Sequence, residues 1–189
     1  MLADETMAEV RRFFVEESRT RNRSVTRLCE EREPNGNQTG TKRGQVQFLR
    51  NCGDVIVITG GSATVNATVG QDVAVLSIGE GNTVHLNAGQ DAYAWAAGVI
   101  TGDITATRDV GVVTAGNSGP IIDAGQDAFL MAFDGFMGPI DAGRDAVAIS
   151  MSNSTPDVTA GVDAFVYSFG STSPVHINAG GYAGLAPAN

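Results

Sequence analysis

Small and bulky apolar residues alternate along most of the chain after residue 46. The stretch that follows Asp127, AFLMAFDGF, shows the alternation plainly. Successive side chains of a β-strand point to opposite faces, so a period of two predicts strands, and no helical period appears in this part of the chain. We therefore expect strands with small residues on one face and bulky residues on the other.

The alternating stretches recur at a nearly constant interval, and one aspartate marks each of them. These aspartates are Asp54, Asp72, Asp91, Asp109, Asp127, Asp145 and Asp163, at steps of 18, 19, 18, 18, 18 and 18 residues. A further step of 19 reaches Tyr182, where the aspartate is lost. A unit of 18 residues buries its apolar side only against its neighbours. The sequence predicts an all-β fold, a parallel β-solenoid (β-helix) of about seven to eight 18-residue coils. A β-sandwich competes with it, and the hand of the solenoid stays open.

Each unit is interpreted as a short strand, a Gly-x-Asp turn, a longer strand and a second turn. We expect each aspartate to accept hydrogen bonds from backbone N–H groups of its own turn. The residues to which we assign this structural role in the turn are Gly70, Gly89, Gly125, Gly143, Gly161 and Gly180, with Asp127 and Asp145.

Both faces of the strand after the aspartate are apolar, so only one of them can line the coil interior. We expect the small face to be the interior one. The bulky face then forms an exposed or interface strip, which includes Tyr93, Trp95, Phe129, Met131, Phe165 and Tyr167. A strip of this kind is large for a lone soluble protein. The candidates to cover it are the N-terminal segment, through Phe13 and Phe14, or a second copy of the chain.

The first 45 residues differ from the rest in composition. Residues 1–33 are rich in Glu and Arg, and Thr6 with Glu9 forms a capping-box pattern. We predict an amphipathic helical segment or cap at 1–33, a linker at 34–45 and the solenoid domain at 46–189. Cys29 and Cys52 lie on either side of this break, and their number does not decide between a disulfide and two free thiols.

The net charge of −9 is concentrated in the repeats. Residues 50–189 carry three Lys or Arg against 13 Asp or Glu. An acidic body repels phosphate backbones, so we expect no nucleic-acid partner. No apolar run is long enough for a membrane span. The N-terminus lacks the pattern of a secretory signal, which leaves the compartment open.

The recurring aspartates also raise the question of metal binding. A calcium ladder would use Asp72, Asp91, Asp109, Asp127, Asp145 and Asp163. The repeats lack the double glycine and the second Gly-x-Asp nine residues on that the calcium-binding nonapeptide carries, so we predict no metal and no other cofactor, with calcium as the alternative.

Pairs of carboxylates could serve polysaccharide cleavage. Asp123 and Asp141 recur four residues before the repeat aspartate. Their regularity is a property of the repeat, whereas an active site would interrupt it with unusual residues and long loops. We therefore predict no enzyme and assign no catalytic residue.

Three segments carry a family resemblance: LNAGQDAYAWAAG, IDAGRDAVAISMS and VTAGVDAFVYSFG. Over about residues 54–183 the chain resembles the repeats of filamentous-haemagglutinin-type surface proteins. The resemblance implies a right-handed β-helix, export to the cell surface and a role as an adhesin stalk or envelope scaffold, and it supplies no catalytic residues.

We expect a non-enzymatic β-solenoid repeat protein, a structural or adhesive surface scaffold. Its expected partners are further copies of itself or a larger repeat protein, or a carbohydrate or cell surface. One alternative is an intracellular self-assembling β-helix polymer of the bactofilin type. The other is a β-helix that binds or cleaves polysaccharide.

Overall fold

The computed structural model describes residues 38–41, 46–171 and 176–187, which contain strands and no helix. The predicted helical segment at 1–33, with Phe13 and Phe14, lies outside these residues, as does the pairing of Cys29 with Cys52. The strands are β1 Gln38–Thr41, β2 Val46–Cys52, β3 Val55–Thr59, β4 Ala63–Val69, β5 Val73–Ser77, β6 Gly81–Ala88, β7 Ala92–Ala96, β8 Val99–Ala106, β9 Val110–Thr114, β10 Gly119–Ala124, β11 Ala128–Ala132, β12 Phe136–Ala142, β13 Ala146–Ser150, β14 Ser154–Ala160, β15 Ala164–Ser168, β16 His176–Ala179 and β17 Ala183–Pro187.

The strands form two parallel sheets that share every coil. Sheet 1 contains the odd-numbered strands in chain order, from β1 to β17, and sheet 2 contains the even-numbered strands from β2 to β16. Each strand pairs with the strand one coil before it and the strand one coil after it. Ala128 lies beside Val110 on one side and Ala146 on the other, at the 18-residue step. The predicted parallel β-solenoid is confirmed.

The structure differs from the prediction in the strand lengths of the repeat unit and in the residue at which the solenoid begins. The strand before the Gly-x-Asp turn is the longer one, with eight residues in β6 against five in β7. Gln38–Thr41 forms β1 and pairs with β3 inside the predicted linker at 34–45, so the solenoid begins before residue 46. The turn-rich composition of β1 gave no sign of a strand. A short strand that pairs with an existing sheet needs little intrinsic β-propensity.

The small residues of sheet 1 line the interior, as expected. In β13, Ala146, Ala148 and Ser150 are buried, while Val147 and Ile149 point outward and are only partly covered. Sheet 2 supplies the larger inner side chains, and those fully or almost fully buried include Leu86, Ile104, Ile122, Phe136, Ile140 and Val158. Aliphatic side chains of sheet 2 thus pack against alanine and valine of sheet 1 in a thin core.

Buried hydroxyl groups close the second turn of several coils. Ser150 Oγ lies 3.1 Å from the carbonyl oxygen of Asp134 and 2.9 Å from that of Ser152. In the next coil, Ser168 Oγ lies 2.9 Å from the carbonyl oxygen of Ser152. A carbonyl turned into a core needs a donor, and these serines provide it.

Close approach between coils explains the glycine of the Gly-x-Asp turn. A Cβ on Gly143 would overlap the carbonyl oxygen of Gly125 in the preceding coil, and Gly161 stands in the same relation to Gly143. Neither residue has a positive φ, so the requirement is space between coils. Gly102 is different: its φ is +108°, which L side chains rarely adopt.

Candidate functional site

The repeat aspartates stand in single file along one corner of the solenoid. We call Asp54, Asp72, Asp91, Asp109, Asp127, Asp145 and Asp163 the Asp column. Oδ1 of each accepts a hydrogen bond from the backbone N–H of the next repeat aspartate, or of Tyr182 at the end, at 2.8–3.3 Å. The predicted acceptor role is therefore correct, but the donor is wrong: it belongs to the following coil and not to the aspartate's own turn.

The backbone geometry at this corner explains why the side chain is needed. The N–H of Ala128 donates to the carbonyl of Asp145 at 2.8 Å, so hydrogen bonds there run from one coil to the next. The N–H of Asp145 itself meets Oδ1 of Asp127 at 3.3 Å. The carboxylate thus takes the place of a backbone carbonyl where the chain turns and the sheet ladder is interrupted.

Two arginines brace the Asp column. Nε of Arg108 donates to Oδ1 of Asp91 at 2.9 Å, and its Nη2 donates to Oδ2. Arg144 contacts Asp127 in the same two-point manner, with Nε 2.8 Å from Oδ1. Both arginines occupy the position just before a repeat aspartate and reach back one coil, where two-point pairing fixes geometry as well as charge.

Asp91 is the most enclosed member of the column, at 8% exposure. The hydrogen bond from Arg108 lowers the pKa of Asp91, against the opposing effect of burial, and the N–H of Asp109 lowers it further. The same contacts raise the pKa of Arg108, and Asp127 raises that of Arg144. The hydrogen-bond partners of Asp91 therefore stabilise its carboxylate against the cost of burial.

One carboxylate oxygen of each of these aspartates is already used within the column. Oδ1 of Asp72, Asp91, Asp109, Asp127 and Asp145 is in each case engaged with a backbone N–H. Across the described ranges, no three His, Cys, Asp or Glu side chains form a group that could hold a metal ion.

The outer face of sheet 1 is apolar from β3 to β15. We call this surface the apolar face. It includes the bulky residues that directly follow the strands of sheet 1, which are Ile78, Phe133, Met151 and Phe169. Eleven of the sixteen exposed large apolar side chains belong to it, whereas the outer face of sheet 2 carries two. Those on the apolar face are Ile56, Leu76, Ile78, Tyr93, Trp95, Phe129, Phe133, Met151, Phe165, Tyr167 and Phe169. Met131 also lies on this face and is half-buried.

A groove crosses the apolar face near its middle. Gly111 interrupts the bulky column between Tyr93 and Phe129, since all three lie in register on β7, β9 and β11. The groove encloses about 580 Å³, and Trp95 and Val113 also line it. Asp109, Asp127 and Asp145 form its border on the side of the Asp column. We call it the Gly111 groove.

The pKa of Tyr93 reflects the electrostatic environment of this groove. Its apolar surroundings raise the pKa of the phenol above the ordinary value, and the charges of Asp91, Asp109 and Asp72 raise it further. Both effects disfavour an anion in the groove.

Aromatic side chains are concentrated from Phe129, at the edge of the groove, towards β15 and the last turn. Phe165 stacks against Tyr182 with ring centroids 5.1 Å apart, and Tyr167 meets Phe169 edge-on at 4.9 Å. We call Phe129, Phe133, Phe165, Tyr167 and Phe169 the aromatic end of the apolar face.

The outer face of sheet 2 is mostly polar. His85 Nδ1 lies 3.2 Å from Asp103 Oδ2 on the neighbouring strand, and both side chains are exposed. Asp123 and Asp141 are register partners on β10 and β12 and are also exposed. Each thus retains its place in a regular row of Thr, Asn and Asp side chains.

Comparison with known proteins adds no family. The chain matches no protein-family model, no curated protein and no solved structure. In the described part of the chain, no helix has the length and apolar character to cross a membrane.

Sequence reasoning missed the two arginine contacts and the Gly111 groove. The arginines occupy the variable position just before the repeat aspartate, and only the stacking of coils reveals that they reach back by 17 residues. The groove did leave a signal, because VGVVT has glycine where AYAWA and AFLMA have an aromatic residue.

Proposed function

We propose that the chain is a non-enzymatic structural or adhesive scaffold, a rigid β-solenoid that self-associates through its apolar face. The observation that carries this proposal is the contrast between the two sheets. Polar side chains cover most of the outer face of sheet 2, while apolar side chains cover that of sheet 1 over the same coils. If both outer faces contacted only water, apolar side chains on one of them would bring no advantage in solubility or stability.

The size of the apolar face supports a docking role. The seven strands from β3 to β15 are separated by six steps of about 4.8 Å, and four residues of about 3.3 Å along each strand give a flat area of about 29 by 13 Å. An apolar patch of several hundred Å² is typical of an interaction site. It is smaller than the roughly 800 Å² per partner of a standard stable interface, so we expect weak, concentration-dependent association.

The regularity of the coils supports a structural role over a catalytic one. The Asp column continues through seven coils with one kind of hydrogen bond, and Asp123 and Asp141 follow the same repeat. A catalytic centre depends on a few residues whose environments differ from those of their neighbours. Here the same backbone hydrogen bond recurs in every coil, which suits a rod that displays a surface.

Sedimentation velocity of the full-length protein over a range of concentrations tests the proposal. The sedimentation coefficient should rise with concentration for the native chain and stay at the monomer value for Phe165→Asp, which places a charge in the aromatic end. Ile121→Asp is the matched control, because Ile121 is equally exposed but lies on sheet 2. The proposal fails if the native chain stays monomeric, or if Ile121→Asp abolishes association as well.

A further inference from the structure

We infer that the Gly111 groove binds a small arylalkyl ammonium ion, whose aromatic ring lies between Tyr93 and Phe129 and whose ammonium group contacts Asp109. The basis of this inference is the combination of an apolar groove with carboxylates along one of its borders. It does not rest on the proposed self-association, because a ligand in the groove requires no second copy of the chain.

The groove offers a place for one flat apolar group. Tyr93, Gly111 and Phe129 are consecutive register partners, so the two aromatic residues lie two strand spacings apart, about 9.6 Å. Gly111 leaves the position between them without a side chain, and Trp95 adds a further aromatic wall. A ligand ring in this position contacts aromatic side chains, and the volume of about 580 Å³ is in the range of small-molecule sites.

Asp109 is the carboxylate on this border that lacks an arginine contact. Asp127 contacts Arg144 at two points, and Oδ2 of Asp145 lies 3.5 Å from Nε of the same arginine. Among the described residues Asp109 forms no ion pair, and its carboxylate accepts one hydrogen bond, from the N–H of Asp127 to Oδ1. Oδ2 of Asp109 can therefore accept a charged N–H donor.

The spacing between this charge and the groove selects the length of the ligand. Asp109 precedes Gly111 by two residues, which span about 6.6 Å of extended chain. A ring over Gly111 and an ammonium group beside Asp109 are thus joined by about two or three methylene groups. The ammonium group stays at the hydrated border, which limits its desolvation cost, while the ring removes apolar surface from water.

The same border disfavours a ligand of opposite charge. Asp109, Asp127 and Asp145 all line it, so a carboxylate in place of the ammonium group would meet like charges. Burial and the neighbouring aspartates already raise the pKa of the Tyr93 phenol, which agrees with this. Charge complementarity therefore selects the cation among ligands that share one aromatic ring.

Trp95 lines the groove and is the single tryptophan of the chain, so its fluorescence reports on the site. The full-length protein is titrated with phenylpropylammonium, phenylpropanol and phenylpropanoate, which share the phenyl group and differ in charge. The ammonium should change the Trp95 emission saturably and bind about 3–10-fold more tightly than the alcohol, since one charge-assisted contact separates them. High salt should reduce this preference, and the carboxylate should bind most weakly.

Two conservative variants test the contact with the carboxylate. Asp109→Asn removes the charge and keeps an oxygen acceptor for the N–H of Asp127, so it should abolish the preference for the ammonium over the alcohol. Asp163→Asn is the matched control. It makes the same change outside the groove and should leave the preference unchanged.

Gly111→Val tests the shape of the groove. The added Cβ would lie 2.8 Å from Cδ1 of Tyr93, a side chain that can move aside, and Val147 occupies the equivalent position of β13. The variant should therefore fold, and it should bind both the ammonium and the alcohol more weakly. Equal affinity of the native protein for these two probes would overturn the inference, as would a preference that persists in Asp109→Asn. A response that disappears on dilution of the protein would overturn it too, since the probe would then act at an interface between copies.

Discussion

Oδ1 of Asp109 accepts a hydrogen bond from the backbone N–H of Asp127, 3.2 Å away and one full coil later in the chain. The carbonyl of Asp127 in turn accepts the N–H of Val110 at 2.9 Å. The two aspartates thus connect neighbouring coils through one side chain and one backbone group. This pairing explains why an acidic residue recurs at a position where like charges stack about 4.8 Å apart.

Asp109 should be replaceable by asparagine but not by alanine. Asn supplies an oxygen acceptor and removes a like charge from the column, so Asp109→Asn should keep or slightly raise the melting temperature. Asp109→Ala leaves the N–H of Asp127 without its acceptor, which costs about 1–2 kcal/mol of unfolding free energy. Urea unfolding followed by circular dichroism measures both. Asp141→Ala, which removes an exposed acid on sheet 2, is the control and should change stability by less than about 0.5 kcal/mol.

Gly143 should not tolerate alanine. The added Cβ would overlap the carbonyl oxygen of Gly125, and this neighbour is backbone, which cannot move aside as a flexible side chain would. We expect a loss of about 1–3 kcal/mol, the usual cost of overpacking. Thermal unfolding of Gly143→Ala beside Gly60→Ala checks this, because a Cβ on Gly60 meets nothing within 4 Å. Equal melting temperatures for the two variants would contradict the close approach of coils.

The ion pair of Asp91 and Arg108 should make stability depend on pH in the acid range. The pKa of Asp91 is lower in the folded protein than the ordinary 3.8, so the folded state binds this proton less readily than the unfolded state. Its stabilising effect is present above about pH 4 and is lost as the pH falls through the lowered pKa. Arg108→Gln should therefore lower the melting temperature at pH 7 more than at pH 2.

Arg108→Lys is the control for this prediction. Lysine keeps the positive charge but not the two-point contact, so it should recover part of the stability at pH 7. A difference between native and Arg108→Gln proteins that is the same at both pH values would show that the charge of Asp91 is not involved.

Ala148 should resist enlargement because it lies inside the thin core. It is 3% exposed, and its register neighbours Leu130 and Val166 are buried as well. Ala148→Leu should lower the unfolding free energy by about 1–3 kcal/mol through overpacking. Ile149→Leu, on the outer side of the same strand, should cost less than about 1 kcal/mol. A neutral Ala148→Leu would mean that the interior has room to spare.

The period of the sequence was sufficient to predict the stacking of coils. An 18-residue step leaves few ways to bury Ala128 and Leu130 other than against equivalent residues above and below. The choice of interior was harder, because Phe129 and Met131 are as apolar as their neighbours. The core is too thin for a row of aromatic rings from sheet 1, since sheet 2 already contributes Ile122 and Phe136.

The contacts across coils were beyond sequence reasoning. The partner of Arg144 is 17 residues away, and that of Asp127 Oδ1 is 18 residues away. These separations have meaning only after the register of the sheets is known. Likewise β1 has a turn-like composition, QTGT, and is a strand because β3 offers it hydrogen-bonding groups.

The corner hydrogen bond between successive aspartates has a consequence for the length of such a protein. At each junction between these coils, the aspartate carboxylate of one coil accepts the backbone N–H of the next repeat aspartate. Removing or inserting one complete unit would therefore bring together a carboxylate and an N–H of the same kind. The number of units is then the property that can change with the least disturbance, and a longer or shorter rod would keep the same cross-section. Deleting any one coil between Asp91 and Asp145, in frame at 18 residues, should therefore leave a folded solenoid that is shorter by one strand spacing.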